Sequence, residues 1–144
     1  MAGSGLPTKL SVEIVSQEGL LLRETVDEII APGADGYFGV RPGHTPMLAA
    51  LGNGSIWIRN GSQQQYFTCF GGFCEVLPDR VNILAEIGER AETIDAQRAE
   101  EALRRAAERM KTIRDEAGYN EAHEAYVRAV TRLAVARGQR APTA

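Results

Sequence analysis

A chain of 144 residues, 44% hydrophobic and 24% charged, is long enough for one domain with an appendage and apolar enough to bury a core. Its formal net charge of -3 excludes a dedicated nucleic-acid binder, and no apolar run reaches the length that spans a bilayer. Two cysteines and two histidines are too poor a set for a zinc centre, so no metal site is expected.

The opening Met1-Ala2-Gly3-Ser4-Gly5 carries neither a secretory core nor an arginine-rich transit pattern. Leu10-Ser11-Val12-Glu13-Ile14-Val15 then alternates apolar and polar residues, the period of a half-buried strand. Further strands are predicted over 20–22, 26–31, 55–59, 65–70, 73–77 and 81–85, separated by glycine, proline and asparagine turns. Asn60-Gly61 is a hairpin signal, because both residues tolerate positive φ. Between the second and third of these segments lies Gly36-Tyr37-Phe38-Gly39-Val40-Arg41-Pro42-Gly43-His44-Thr45-Pro46-Met47-Leu48. It reads either as a tightly turned corner or as an exposed docking loop. His44 has no recognisable acid-base or nucleophilic partner beside it, so no catalytic residue is assigned there. Cys69 and Cys74 flank Gly71-Gly72 in an apolar run and read as free thiols packed as small hydrophobes.

At Ile94-Asp95-Ala96-Gln97-Arg98-Ala99 the pattern changes. Asp95 suits a helix N-cap, since its carboxylate accepts free backbone N–H groups at the positive end of the dipole. Ala99, Ala102, Leu103, Ala106, Met110 and Ile113 follow at helical spacing, and Ala122, Tyr126, Ala129, Val130 and Leu133 make a second stripe. Gly118 is expected to stop the first helix and Asn120 to cap the second. A connection this short makes the pair antiparallel. Basic residues, sparse before position 88, crowd this half. The fold class is therefore α+β: an N-terminal antiparallel β-sandwich over 1–88, then a C-terminal antiparallel α-helical hairpin over 89–144 with a disordered tail. Alanine-rich stripes bury little area each, so the hairpin is expected to be held loosely.

The 36–48 loop, Gly71-Gly72-Phe73-Cys74-Glu75-Val76, and the run from Ala85-Glu86 through Glu89-Arg90-Ala91-Glu92-Thr93-Ile94-Asp95-Ala96-Gln97-Arg98-Ala99 together resemble the epsilon subunit of F-type ATP synthase. The likeness runs in family order from about Lys9 to about Ala136. It implies a non-catalytic rotor component that couples proton transport to ATP synthesis and restrains ATP hydrolysis through a mobile hairpin. The implied partners are the gamma subunit, the rotor-ring c subunits at Pro42, Gly43 and His44, and the alpha and beta catalytic subunits met by an extended hairpin. Nucleic acid is not among them. Attachment would be to the cytoplasmic face of a bacterial plasma membrane, through the complex alone. Tyr37 departs from the family pattern, which often has an acid at this place.

No cofactor is required by the resemblance, but in some members this region binds regulatory ATP. Carried over residue by residue, the ligands are Glu89, Ile94, Asp95, Arg98, Ala99, Arg105, Arg128 and Arg132. The chemistry is coherent: a carboxylate accepts from the adenine amino group, Ile94 and Ala99 touch the base, and four guanidinium groups meet the phosphates. Each arginine also has a plain reading as a solvated charge paired with Glu101, Glu108 or Glu124. The alternative for the whole chain is a β-sandwich adaptor with a helical tail in another assembly. A nucleotide hydrolase using Glu89 and Asp95 ranks last, for want of a metal loop or positioned base.

Overall fold

The computed structural model describes residues 5–142. Seven strands come first: β1 (Leu10–Ser16), β2 (Gly19–Val26), β3 (Glu28–Gly33), β4 (Gly36–Val40), β5 (Met47–Asn60), β6 (Gln63–Leu77) and β7 (Arg80–Arg90). One turn of 3-10 helix (Ala91–Thr93) then leads into α1 (Ala96–Thr112) and α2 (Glu116–Ala136). This is the expected β-sandwich followed by a helical hairpin.

The strands pair in the order β2-β1-β7-β6-β5-β3-β4. The sheet folds over on itself, so that β2 also touches β5, four places away. Gln65 on β6 donates to Glu24 on β2 across this closure at 3.1 Å. All pairings are antiparallel except β1 with β7, which run parallel. Side-chain alternation reports which face is buried and nothing about strand direction, so that one pairing had no signal in the sequence. β1 alternates as expected, with Leu10, Val12 and Ile14 inside. They join Ile29, Ala31, Ile56, Ile58, Phe67 and Ile83 in one apolar core. Each such side chain contributes about 1.5–3 kcal/mol when fully buried.

Several local expectations are corrected. The 26–31 segment breaks at Asp27, whose carboxylate accepts from the Gly61 N–H at 2.7 Å and from Lys9 at 2.5 Å. Residues 36–40, expected within a loop, are strand β4 paired to β3. The β5 strand begins at Met47, well before the expected 55. Asp115 caps α2 by accepting from the Gly118 N–H at 2.8 Å, so Gly118 lies in the first turn of α2 and neither stops α1 nor leaves Asn120 as the cap. An acid three residues ahead of a free N–H outcompetes a glycine as the boundary signal.

As far as it is described, the chain after α2 returns to the sandwich. Ala141 is buried, and its backbone is hydrogen-bonded to the sandwich. The first four residues and the last two lie outside the described part of the chain. The α2 helix lies between α1 and strands β5 and β6, and α1 packs chiefly on α2. A seam of small residues, Ala99 and Ala106 against Ala122 and Ala129, lets the helices approach closely.

Candidate functional site: a basic cleft at the root of the hairpin

Where β7 hands over to α1, the chain turns sharply and leaves a cleft between the two helices and the strand end. Its volume is about 510 Å3, within the range of small-molecule sites. Glu89 enters from the end of β7, Thr93 and Ile94 from the turn, and Asp95 from the N-cap of α1. Arg98, Ala99, Ala102 and Arg105 line it from α1 at helical spacing; Ala125, Arg128, Ala129 and Arg132 do so from α2. All eight residues carried over in the sequence analysis are thus brought around one space. Thr93, Ala102, Ala125 and Ala129 were missed as lining residues, since an alanine wall looks the same in a sequence as an alanine packing seam.

Charge in the cleft is predominantly positive. Four arginines face two acids. Asp95 is committed in part to capping, accepting from the Arg98 N–H at 3.1 Å. Glu89 is committed more fully. It accepts from the Thr68 hydroxyl at 2.9 Å and from Arg132 Nε at 2.9 and 3.2 Å. The Arg132 guanidinium also lies 5.2 Å from the centre of the Phe70 ring, a favourable placing for a cation. Neither Thr68 nor Phe70 was foreseen; both sit in an apolar strand whose inward residues read only as core.

The remaining arginines are less engaged. Arg128 is 3.9 Å from Glu124, the long end of an ion pair, while its Nε is buried with no hydrogen-bond partner among the described residues. A buried N–H without an acceptor costs about 1–3 kcal/mol. Arg98 and Arg105 form no ion pair among the described residues, so the expected pairing with Glu101 and Glu108 is not made; Glu108 pairs with Lys111 instead. No three His, Cys, Asp or Glu side chains are grouped as metal ligands among the described residues, so the positive charge on offer is that of the arginines. The lining favours an anionic group.

The other expected site is remote. Pro42, Gly43 and His44 form the corner between β4 and β5. The Gly43 N–H donates to the Pro78 carbonyl at 2.7 Å, and His44 Nδ1 lies 2.7 Å from the Thr45 carbonyl. This fixes the corner beside the β6–β7 turn. β7 runs from that turn to the cleft, a path of at most about 33 Å for its length at strand rise. The two candidate sites therefore occupy opposite ends of one strand.

An all-β platform with a docked helical hairpin defines a two-part β-sandwich and helical-hairpin protein, with a ligand-sized basic cleft at the joint. Residues 9–91 match the beta-sandwich domain of the ATP synthase delta/epsilon chain, and residues 92–137 match its long alpha-helix domain. The ATP synthase epsilon chain of Solibacter usitatus is 42% identical over 133 residues, covering 91% of this chain and 98% of its own length. That of Syntrophobacter fumaroxidans is 43% identical over 128 residues, covering 89% and 96%. Among solved structures, a chain of the Euglena gracilis mitochondrial ATP synthase (OSCP/F1/c-ring) aligns with a TM-score of 0.75 at 25% identity, over 87% of this chain and 80% of that one. The chain belongs to the delta/epsilon chain family of ATP synthase. Its role is that of an epsilon subunit in the central stalk, which displaces the adaptor alternative. It is a stalk subunit and not the catalytic one. Its place is peripheral to the membrane, and among the described residues no helix is long and apolar enough to cross one.

Proposed function

We propose that this subunit is a non-catalytic regulator whose hairpin senses ATP. The sandwich docks on the gamma subunit and, through the Pro42–Gly43–His44 corner, on the rotor-ring c subunits. Supporting that division are the opposite placement of corner and cleft along β7 and an exposed apolar patch on the sandwich. In that patch Phe73 pairs directly with Leu84, and Leu48 lies one position diagonal to Phe73. Single exposed apolar residues are ordinary, but a run of them across three strands suits a protein partner. The bacterial relatives support attachment at the cytoplasmic face of the plasma membrane, through the complex.

The observation that carries the regulatory reading is the cleft with its four arginines, one bearing an unsatisfied buried Nε. A triphosphate placed there touches β7, α1 and α2 at once. It binds the docked hairpin and not the extended one, so it shifts the population toward the docked form by that difference in affinity. With the ligand gone, the hairpin is free to extend along gamma toward the alpha and beta subunits and restrain hydrolysis. Calorimetric titration of the full chain with ATP tests this. The parent binds, and Arg98→Ala combined with Arg132→Ala weakens binding about tenfold or more, as loss of charge-assisted hydrogen bonds requires. No heat from the parent, or equal affinity in the variant, removes the sensing role and leaves stalk membership standing.

A further inference from the structure

We propose that residues 137–142 are a clasp that fastens the hairpin to the sandwich, with Tyr37 and Ser55 as its receiving groups. This holds whatever the cleft binds, because no residue of the clasp lines the cleft.

The geometry starts at the end of α2. The Gly138 N–H donates to the Val135 carbonyl at 3.0 Å and the Gln139 N–H to the Ala134 carbonyl at 2.8 Å. With Gly138 at φ +66, this is a Schellman stop, which reverses the chain at a defined angle. The reversed segment does not trail into solvent. It delivers Ala141, only 1% exposed, onto β5. Pro142 follows directly and restricts Ala141 to extended backbone, which presents its N–H and carbonyl as a pair.

Four hydrogen bonds then close on themselves. The Ala141 N–H donates to Ser55 Oγ at 2.9 Å, and the Tyr37 hydroxyl donates to the Ala141 carbonyl at 2.5 Å. The Ser55 N–H donates to Tyr37 Oη at 3.0 Å. Tyr37 Oη and Ser55 Oγ lie 3.1 Å apart. The phenol has one proton and spends it on Ala141, so the serine hydroxyl is the donor in this last bond. Every donor is then used once. Above the ring, the Arg140 guanidinium sits 5.2 Å from the Tyr37 centroid. Ser55 is 1% exposed, so opening the clasp uncovers a buried serine hydroxyl and breaks a cooperative set rather than one bond.

Tyr37, on β4, therefore receives the C-terminal segment directly, with its hydroxyl at the place where the family pattern often has an acid. An acid at 37 could accept from Ser55 but has no proton for the Ala141 carbonyl. The clasp is thus specific to a hydroxyl at this position.

Amide hydrogen exchange on the full chain, read by mass spectrometry, tests the clasp from both sides. Tyr37→Phe keeps the ring and removes the hydroxyl. Ala141→Pro removes the N–H that Ser55 accepts, and lies outside the sandwich. Each variant is expected to speed exchange across residues 122–135 at least about fivefold, the worth of one net hydrogen bond being the lower bound, with β1 and β7 amides unchanged. Failure of either variant to do so, or equal acceleration in the strands, overturns the clasp.

Discussion

Glu89 and Arg132 show how one ion pair serves two ends. Their side chains are 30% and 32% exposed, and the pair joins the last strand to the last helix. It also occupies the cleft with groups that a nucleotide would use. On the proposed ATP-sensing reading, an entering phosphate would compete with Glu89 for Arg132 and release the carboxylate. At the same scale, Gly72 makes a sharper prediction. It lies at φ +129, and a Cβ there would stand 2.0 Å from the Leu84 carbonyl oxygen, which is backbone and cannot swing aside. Gly72→Ala is expected to lower stability by about 3 kcal/mol or more through strain and overlap. Gly39→Ala, whose Cβ would meet only Ile30 Cγ1 at 3.8 Å, is expected to fall within about 0.5 kcal/mol of the parent. Urea midpoints of the two variants measure the contrast.

Among the elements, the turn that separates β2 from β3 is tied to the turn between β5 and β6 by Asp27. The hydrogen bond from Lys9, then that from the Gly61 N–H, hold its carboxyl below the ordinary 3.8. A depressed folded value means that the ionised form stabilises the fold above the unfolded value, and that this contribution disappears as pH falls through the folded one. The thermal midpoint should therefore drop on acidification from about pH 5 to about pH 2, and Asp27→Asn should flatten part of that fall while lowering the midpoint near neutrality. An unaltered pH profile in the variant would show the tie to be idle.

What was legible at this scale follows the physics. β1 and the Asn60-Gly61 hairpin carry local signals, a two-residue period and a turn residue, and both are found. The first half of β5, Met47-Leu48-Ala49-Ala50-Leu51-Gly52-Asn53-Gly54, has small residues and no alternation; it is a strand because β6 pairs with it along its length. Such pairing is tertiary and leaves no local mark. The eight cleft residues were reached through family likeness and not through spacing, because they come from a strand, a turn and two helices. The clasp was missed entirely. Gln139-Arg140-Ala141-Pro142 has the composition of a free end, and only the surface that receives it makes it ordered.

For the whole molecule, the sandwich and the hairpin are expected to open separately. Cys69 and Cys74 are both free and buried in the sandwich core. Burial, reinforced for Cys69 by Cys74 and Glu86 and for Cys74 by Glu75, pushes both thiols up to about 12. At ~pH 8 almost no thiolate exists in the folded state, so alkylation waits for the sandwich to unfold. Iodoacetamide labelling followed by mass should proceed at the same rate in the parent and in Ala141→Pro, although the latter frees its hairpin. Faster labelling in that variant would mean that the two parts share one cooperative unit.

The parallel pairing of β1 with β7 bears on how the chain is made. β1 emerges from the ribosome well before β7 and carries one edge that its partner cannot cover until β7 arrives; Val15 waits for Leu84. Synthesis therefore leaves that edge open while the chain between Ser16 and Arg80 is added, a period in which misassembly with a neighbouring nascent chain is a hazard. The helices emerge afterwards onto a surface that is already finished. Ala141 follows both helices in the chain, so fastening can come only after the hairpin itself has emerged.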